Sequence, residues 1–330
     1  MIIIKEASFY QKKEDNKVLC CLCPHNCLIS PGNRGRCRAR VNKGGFLYTE
    51  NYGKISSLGM DPIEKKPLYH FYPGSKILSV GTFGCNFTCD YCQNWQISQE
   101  NPPLKEVYPE QLIEMAKKKG AIGIAYTYSE PSIWYEYIRE TAEKAREEGL
   151  KNVMVSNGYI SEEPLEGIIP FIDAANIDLK SFDNDFYRKL CSGKLEPVLR
   201  NIELLYKNDV HIELTTLIIT DYNDSISELE ELFSWIDDLD TNIPIHLSRY
   251  FPNYKMEKPA TSIDIMKKSY QLAQEYLNYV YLGNVNLEQG NTSYCPICGH
   301  EVIKRSHYKG QSFLVDGKCP ECDYYVYGKY

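Results

Sequence analysis

The 330-residue chain has no apolar run long enough to span a bilayer. Its start, Met1-Ile2-Ile3-Ile4-Lys5-Glu6, is an apolar stub that a charge ends at once, whereas a signal peptide carries a longer apolar core after a basic start. Positive charge is not in excess. The 37 Lys and Arg residues stand against 44 Asp and Glu, a net of −7, which argues against a broad nonspecific nucleic-acid or membrane surface and leaves room for a local basic patch. Internal repeats and low-complexity runs are absent. With 43% hydrophobic and 25% charged residues, the composition is that of a folded protein rather than a disordered one. At about 150 residues per domain the length allows two domains, or one large domain with appendages. A cytoplasmic protein is expected, with no membrane partner and nucleic acid disfavoured.

What the chain does have is cysteine, thirteen in all. In a reducing compartment clustered cysteines bind metal more often than they pair as disulfides. Twelve fall into three groups: Cys20, Cys21, Cys23, Cys27 and Cys37; Cys85, Cys89 and Cys92; and Cys295, Cys298, Cys319 and Cys322. Cys191 stands alone and reads as a buried, inert helix residue.

Between the outer groups, strand and helix signals alternate. Short apolar runs at 77–80, 121–128, 152–156, 174–179, 210–219, 244–250 and 279–282 are separated by amphipathic stretches at 110–119, 134–148, 195–206, 226–236 and 263–276. That alternation predicts βαβ units on a parallel sheet. Six or seven units suit a complete or partial barrel, with a doubly wound sheet as the alternative. The expected division is a cysteine-rich flank over 1–70, the barrel over 71–290 and a small cysteine-rich unit over 291–330.

The central group, Cys85-Asn-Phe-Thr-Cys89-Asp-Tyr-Cys92, follows the first apolar run directly. Three thiolates are too few for a closed structural zinc site. A cubane iron–sulfur cluster on three cysteines would keep one iron open for a ligand. Zinc with a fourth ligand from elsewhere, or three unconnected thiols, also fit the spacing. The C-terminal group forms two C-x2-C knuckles twenty residues apart, the pattern of a zinc ribbon, with rubredoxin-like iron as the other candidate. Such a ribbon is either a staple or a docking module. The N-terminal spacing Cys20-x2-Cys23-x3-Cys27-x9-Cys37 fits structural zinc, an auxiliary iron–sulfur cluster or free thiols, with Cys21 and His25 as spare candidates.

The C-x3-C-x2-C triplet with Tyr91 before its last cysteine resembles the signature of radical S-adenosylmethionine (SAM) enzymes. Three later segments share the resemblance, each at the end of an expected strand: Tyr126-Thr127-Tyr128-Ser129-Glu130-Pro131, Val155-Ser156-Asn157-Gly158 and Asp178-Leu179-Lys180. The chain is also similar, over nearly its whole length, to the radical SAM member of the AmmeMemoRadiSam system. The marks are the Cys20–Cys37 pattern, Ile63-Glu64-Lys65-Lys66-Pro67-Leu68-Tyr69-His70-Phe71, His246-Leu247-Ser248-Arg249-Tyr250-Phe251-Pro252 and the terminal C-P-x-C pairs.

These resemblances imply an α/β fold, a partial (β/α)6-type radical SAM barrel. They imply a [4Fe-4S] cluster on Cys85, Cys89 and Cys92 and reductive cleavage of SAM to methionine and a 5′-deoxyadenosyl radical, which takes hydrogen from a substrate. Tyr91 would lie near the adenine, Glu130 would accept from the SAM ammonium, and Ser156 and Asn157 would bind the ribose or methionyl part. Asp178, Lys180 and His246 would complete the cofactor site, and His70 would approach it from the flank. Glu130 also reads as a helix N-terminal residue before Pro131, and Asp178 with Lys180 as an ordinary ion pair on one strand face. Related activating enzymes carry an acidic residue where this chain has Val155, so the resemblance does not extend to a monovalent-cation site there. The implied partners are an external electron donor, a Memo-like protein and a small companion. A glycyl-radical-enzyme activase is the alternative among enzymes, and a metal-binding interaction protein the alternative outside them.

Overall fold

The computed structural model describes residues 5–287, 289–306 and 308–330. Its centre is an eight-stranded sheet. The strands are β1 (Ser57–Pro62), β2 (Lys76–Gly81), β3 (Gly123–Tyr126), β4 (Lys151–Ser156), β5 (Ala174–Asp178), β6 (His211–Ile218), β7 (Ile245–Arg249) and β8 (Val280–Gly283). They lie side by side in chain order, β2 to β8 mutually parallel and β1 antiparallel at the edge beside β2. A doubly wound sheet reverses its order at a switch point, and this one never does. With crossovers of one hand, an unbroken order sends every connecting helix to the same face, as in a barrel wall. The large sheet begins at residue 57, inside the stretch that the sequence assigns to the flank.

The longer helices are α1 (Pro109–Lys118), α2 (Tyr135–Glu147), α3 (Glu162–Ile168), α4 (Glu196–Lys207), α5 (Ile226–Asp240) and α6 (Ile263–Tyr276). Their starts are chemically marked. Ser225 accepts from Glu228 N at 3.3 Å and Ser262 from Ile265 N at 3.2 Å, so each hydroxyl satisfies an orphan amide at a helix start. Pro109 opens α1, where a missing N–H costs nothing. None of the described helices is long and apolar enough to cross a membrane.

The other face of the sheet is covered from within the chain. Ile63, Leu68 and Phe71 pack against Ile77, Ala125, Val153 and Ala174. The C-terminal unit, with strands Ser293–Tyr294, Glu301–Ser306 and Lys309–Ser312, joins them. Its Val302, Ile303 and Val326 bury against Tyr69, Tyr279 and Tyr281. Backbone pairing between Tyr72 N and Lys329 O (2.7 Å) and between Lys329 N and His70 O (2.8 Å) fastens the chain end to the same segment. His70 therefore does not reach the strand-end cavity. It is fully buried, with Nδ1 donating to Tyr327 O at 2.7 Å and Nε2 accepting from Tyr281 Oη.

The N-terminal unit comprises two small antiparallel sheets, one from Lys5–Glu6, Arg40–Lys43 and Phe46–Thr49, the other from Tyr10–Lys12, Val18–Cys20 and Leu28–Ile29. It is fixed to α2 by a buried ion pair between Arg40 and Glu136, and Glu136 also accepts from Ser8 N at 2.7 Å.

Candidate active site

In parallel α/β folds, loops leaving the C-terminal strand ends converge on one mouth. Here that mouth holds a cavity of about 510 Å³. Cys85, Cys89, Tyr91 and Cys92 line it from the loop after β2, Tyr128 and Glu130 from the loop after β3, and Asn157 from the end of β4. Asp178, Lys180 and His246 line it from the next strands. A cleft of about 760 Å³ lies elsewhere, between Tyr72–Ser75 and the C-terminal unit; among the described residues that line it, Asp316 is the one acidic side chain and none is cysteine.

Two of the three thiols have polar groups against their sulfurs. Cys85 Sγ accepts from Phe87 N at 3.3 Å and faces Asn157 Nδ2 at 3.7 Å, and Cys92 Sγ lies 3.3 Å from Ser98 Oγ. Hydrogen-bond donors aimed at sulfur suit thiolates that carry a cluster and help set its potential. Burial pushes the Cys85 thiol well above its ordinary value, so loading a metal centre would release protons. The donor set fits an iron–sulfur cluster.

Cys191 is buried in a helical turn, as the sequence suggests. It ends a π-helical turn at Tyr187–Cys191 that carries its sulfur to within 3.3 Å of Tyr91 Oη. Single π-turns recur at functional sites because the extra residue re-aims side chains.

Glu130 takes the helix N-terminal role that the sequence offers and also lines the cavity. It caps the short helical turn at Pro131–Trp134 through Ser132 N, 2.9 Å from Oε1. The same oxygen accepts from Ser156 Oγ at 2.7 Å, and Oε2 from Asn157 N at 2.9 Å. Burial raises its carboxyl, and these donors pull it back. A carboxylate offers about four acceptor sites. Three are taken, which leaves one on Oε2. Ser156 does not line the cavity: its hydroxyl is held between Glu130 and Gly158 N at 3.1 Å. It positions Glu130. Asn157 does line the cavity, with Nδ2 on Asn86 Oδ1 at 2.9 Å.

Asp178 and Lys180 form an ion pair at 3.0 Å. Burial works against the lysine's charge, yet Asp178 and the nearby thiols hold its pKa well above the ordinary value. His246 lines the cavity floor, its Nε2 donating to Glu213 at 2.7 Å.

Two features escape a sequence reading. Glu213 is fully buried and accepts from Tyr69 N, His70 N, His211 Nε2 and His246 Nε2, at 2.9, 2.7, 3.0 and 2.7 Å. Burial opposes its charge, but the two histidines hold it below the usual carboxylate range. Its signal in the sequence is the alternation of His211, Glu213 and Thr215 on one face of an apolar strand. The second feature is Asp61, which meets Lys66 at 2.8 Å, Lys65 at 2.9 Å and Tyr128 Oη at 2.8 Å at the cavity edge. Tyr128 reaches it from a left-handed backbone, φ 69°.

The two outer cysteine groups differ in geometry. The sulfurs of Cys295, Cys298, Cys319 and Cys322 all lie within 4.8 Å of one another, the spacing for a single ion, and no other set of three or more metal-ligating side chains among the described residues closes so tightly. At the N-terminus the structure gathers Cys20, Cys23, Cys27 and Cys37. Burial pushes the Cys23 thiol up, and Cys37, Cys20 and Cys27 push it further. Cys21 points away, to Leu19 O at 3.6 Å, and His25 Nε2 bonds Asn86 O at 2.8 Å.

Fold and site define an α/β protein in which three thiols and a buried carboxylate converge on one cavity at the strand ends. The sequence pattern of the Radical SAM superfamily matches residues 79–236. An uncharacterized protein of Methanocaldococcus jannaschii is 44% identical over 325 residues, 97% of each chain. The 4-hydroxyphenylacetate decarboxylase activating enzyme of Clostridium scatologenes is 23% identical over 163 residues, 46% of this chain and 52% of that enzyme. The structure of Streptococcus suis SuiB bound to S-adenosylmethionine shares the fold, with a TM-score of 0.52 at 12% identity over 69% of this chain and 59% of that one. The chain belongs to the radical SAM superfamily, whose members are enzymes that use SAM and an iron–sulfur cluster.

Proposed function

We propose that the protein cleaves SAM reductively and uses the resulting radical on a substrate held in the strand-end cavity. The observation that carries this reading is the convergence of three thiols and a carboxylate with one free acceptor site on one cavity. When bound, a [4Fe-4S] cluster and SAM supply one-electron cleavage of the sulfonium bond and a 5′-deoxyadenosyl radical that takes hydrogen from substrate. Cys85, Cys89 and Cys92 hold the cluster. The free acceptor site of Glu130 Oε2 takes the SAM ammonium, a charge-assisted bond in a dry site, and Ser156 and Asn157 N fix the carboxylate for it. Tyr91 borders the adenine, and Asn157 contacts the ribose or methionyl part. Lys180, kept charged by Asp178, offsets the negative charge of the thiolates. Glu213 holds the His246 proton on Nε2, so the other ring nitrogen is the acceptor available to substrate.

The test is 5′-deoxyadenosine formation by anaerobically purified protein with SAM and a strong reductant. Wild type is expected to form it and Cys89→Ala to form none. Wild type that carries its cluster and binds SAM, yet yields no product with any reductant, would refute the reading.

Similarity to an activating enzyme supports a second reading, a glycyl-radical-enzyme activase with a partner protein as substrate. A glycine-centred radical signal on that partner decides it. The residue marks at 20–37, 63–71 and 246–252 support the AmmeMemoRadiSam branch, with a Memo-like protein and its companion as partners. We assign zinc to the C-terminal quartet, a staple for a unit too small for its own core, and a cytoplasmic location to a chain whose clustered cysteines are not paired as disulfides.

A further inference from the structure

The N-terminal quartet shares a wall with the central site. A Cβ placed on Gly84 would meet Cys37 O at 2.4 Å, so the backbone of one cysteine group touches the residue just before Cys85. Consecutive Cα atoms are about 3.8 Å apart, which puts Cys37 and Cys85 two short steps from each other. A second connection runs through side chains. His25 bonds Asn86 O at 2.8 Å, and its ring lies 5.0 Å from that of buried Tyr159. The Tyr159 ring lies 4.9 Å from Phe87, whose amide bonds Cys85 Sγ. Asn86 Nδ2 donates to Tyr159 O at 2.6 Å and closes the wall.

The quartet has the ligand count of a [4Fe-4S] centre. A cubane binds each thiolate through a different iron, so its sulfurs stand further apart than those around one ion. The C-terminal quartet has the one-ion spacing and the N-terminal quartet does not. Burial of Cys20 and Cys37, with Cys23 and Cys27 half-buried, leaves one side of the centre nearer to solvent than the other.

We propose that Cys20, Cys23, Cys27 and Cys37 hold a second [4Fe-4S] cluster that relays electrons across this wall to the cluster at Cys85, Cys89 and Cys92. The relay rests on the reading of the central site given above. One electron from a low-potential one-electron carrier, a reduced flavodoxin or ferredoxin, takes the outer cluster from the 2+ to the 1+ state. The same electron then reduces the central cluster from 2+ to 1+, and the outer cluster returns to 2+.

Iron, sulfide and zinc are measured on anaerobically purified wild type and on a Cys85→Ala/Cys89→Ala/Cys92→Ala variant. About eight irons in wild type and about four in the variant are expected, with about one zinc in each. About four irons and two zincs in wild type, with an iron-free variant, would overturn the second cluster and leave the central one standing. About four irons in both would refute the central cluster and with it the relay, while the outer cluster stands.

For the relay, reduced flavodoxin is mixed with a Cys23→Ser/Cys27→Ser variant, and reduction of the central cluster is followed by electron paramagnetic resonance. The rate should fall about tenfold or more against wild type, while dithionite reduces both alike. An unchanged rate with flavodoxin overturns the relay. Should that variant not fold, fully reduced wild type gives the answer. Two clusters across one thin wall should show spin–spin broadening that is absent from the triple variant, and a spectrum that is the sum of two isolated centres overturns the proposal.

Discussion

At the C-terminus, Cys298 and Cys322 are exposed on two tight knuckles, and the four sulfurs close to the spacing of one ion. At the N-terminus, Cys20 and Cys37 are buried and the group leans on the loop that carries Cys85. Both ends offer four thiols. The C-terminal unit spends its contacts on the floor beneath the strand-end cavity, through Tyr69, Tyr281 and His70. The N-terminal unit spends them on the mouth, through His25, Cys37 and the Arg40–Glu136 pair. Ligand count therefore says that a centre can form, and its neighbours say what that centre can affect.

Four perturbations would break or sharpen this contrast. Stripping the C-terminal ion should have the largest effect on stability, since structural zinc contributes on the order of 10 kcal/mol to small zinc-binding units. Hydrogen exchange should speed up across 293–330 while iron stays bound elsewhere. Simultaneous loss of iron would mean that the two ends are not independent. Next, Arg40→Met leaves Glu136 buried without its partner, which costs about 3–5 kcal/mol. Denaturant unfolding should show that loss, and Arg40→Met with Glu136→Leu should recover most of it. A single variant as stable as wild type would show that the pair does not anchor the N-terminal unit.

The third perturbation concerns pH and the floor. Burial holds the His70 imidazole down to about 3, whereas an unfolded histidine titrates near 6.5. The unfolded chain therefore takes up the proton first. The stabilising contribution of neutral His70 is complete above about pH 6.5 and shrinks as pH falls toward the folded value, by about 1.4 kcal/mol per unit. His70→Gln should flatten stability by that slope between pH 6.5 and 4; an unchanged slope would assign the proton uptake to other groups. The smallest effect is expected from Gly84→Ala. Gly84 sits at φ 87°, where a side chain costs about 1–2 kcal/mol, and the added methyl presses on Cys37 O. Iron retention at both upper sites should drop, with the zinc site untouched. Equal iron in variant and wild type would show that the wall tolerates displacement.

Much of the fold was legible along the chain. Residues 263–276 form the expected helix to the residue, and all seven apolar runs became parallel strands of the large sheet. Their periodicity follows from burial of one helix face or of both strand faces, which composition records locally. The antiparallel edge strand Ser57–Pro62 was not legible, because Gly59, Asp61 and Pro62 give it no strand-like pattern. The π-turn that brings Cys191 to Tyr91 was missed for a related reason: one extra residue in a helical turn leaves no periodic trace. At the site, the thiol triplet and Glu130 were legible by spacing and by position at strand ends. Glu213 hid in an apolar strand, and Ser156 proved to support Glu130 rather than to line the cavity.

By itself, then, the sequence determined the alternation of strand and helix, the three cysteine groups and the order in which the cavity residues arrive. These are properties of neighbours in the chain, set by side-chain period and ligand spacing. The tertiary structure decided the unbroken strand order, the plugging of the sheet by residues 63–72 and the C-terminal unit, and the contact of Cys37 with Gly84. Each depends on pairs dozens of residues apart, whose meeting is settled by burial and packing over the whole chain and by no local pattern.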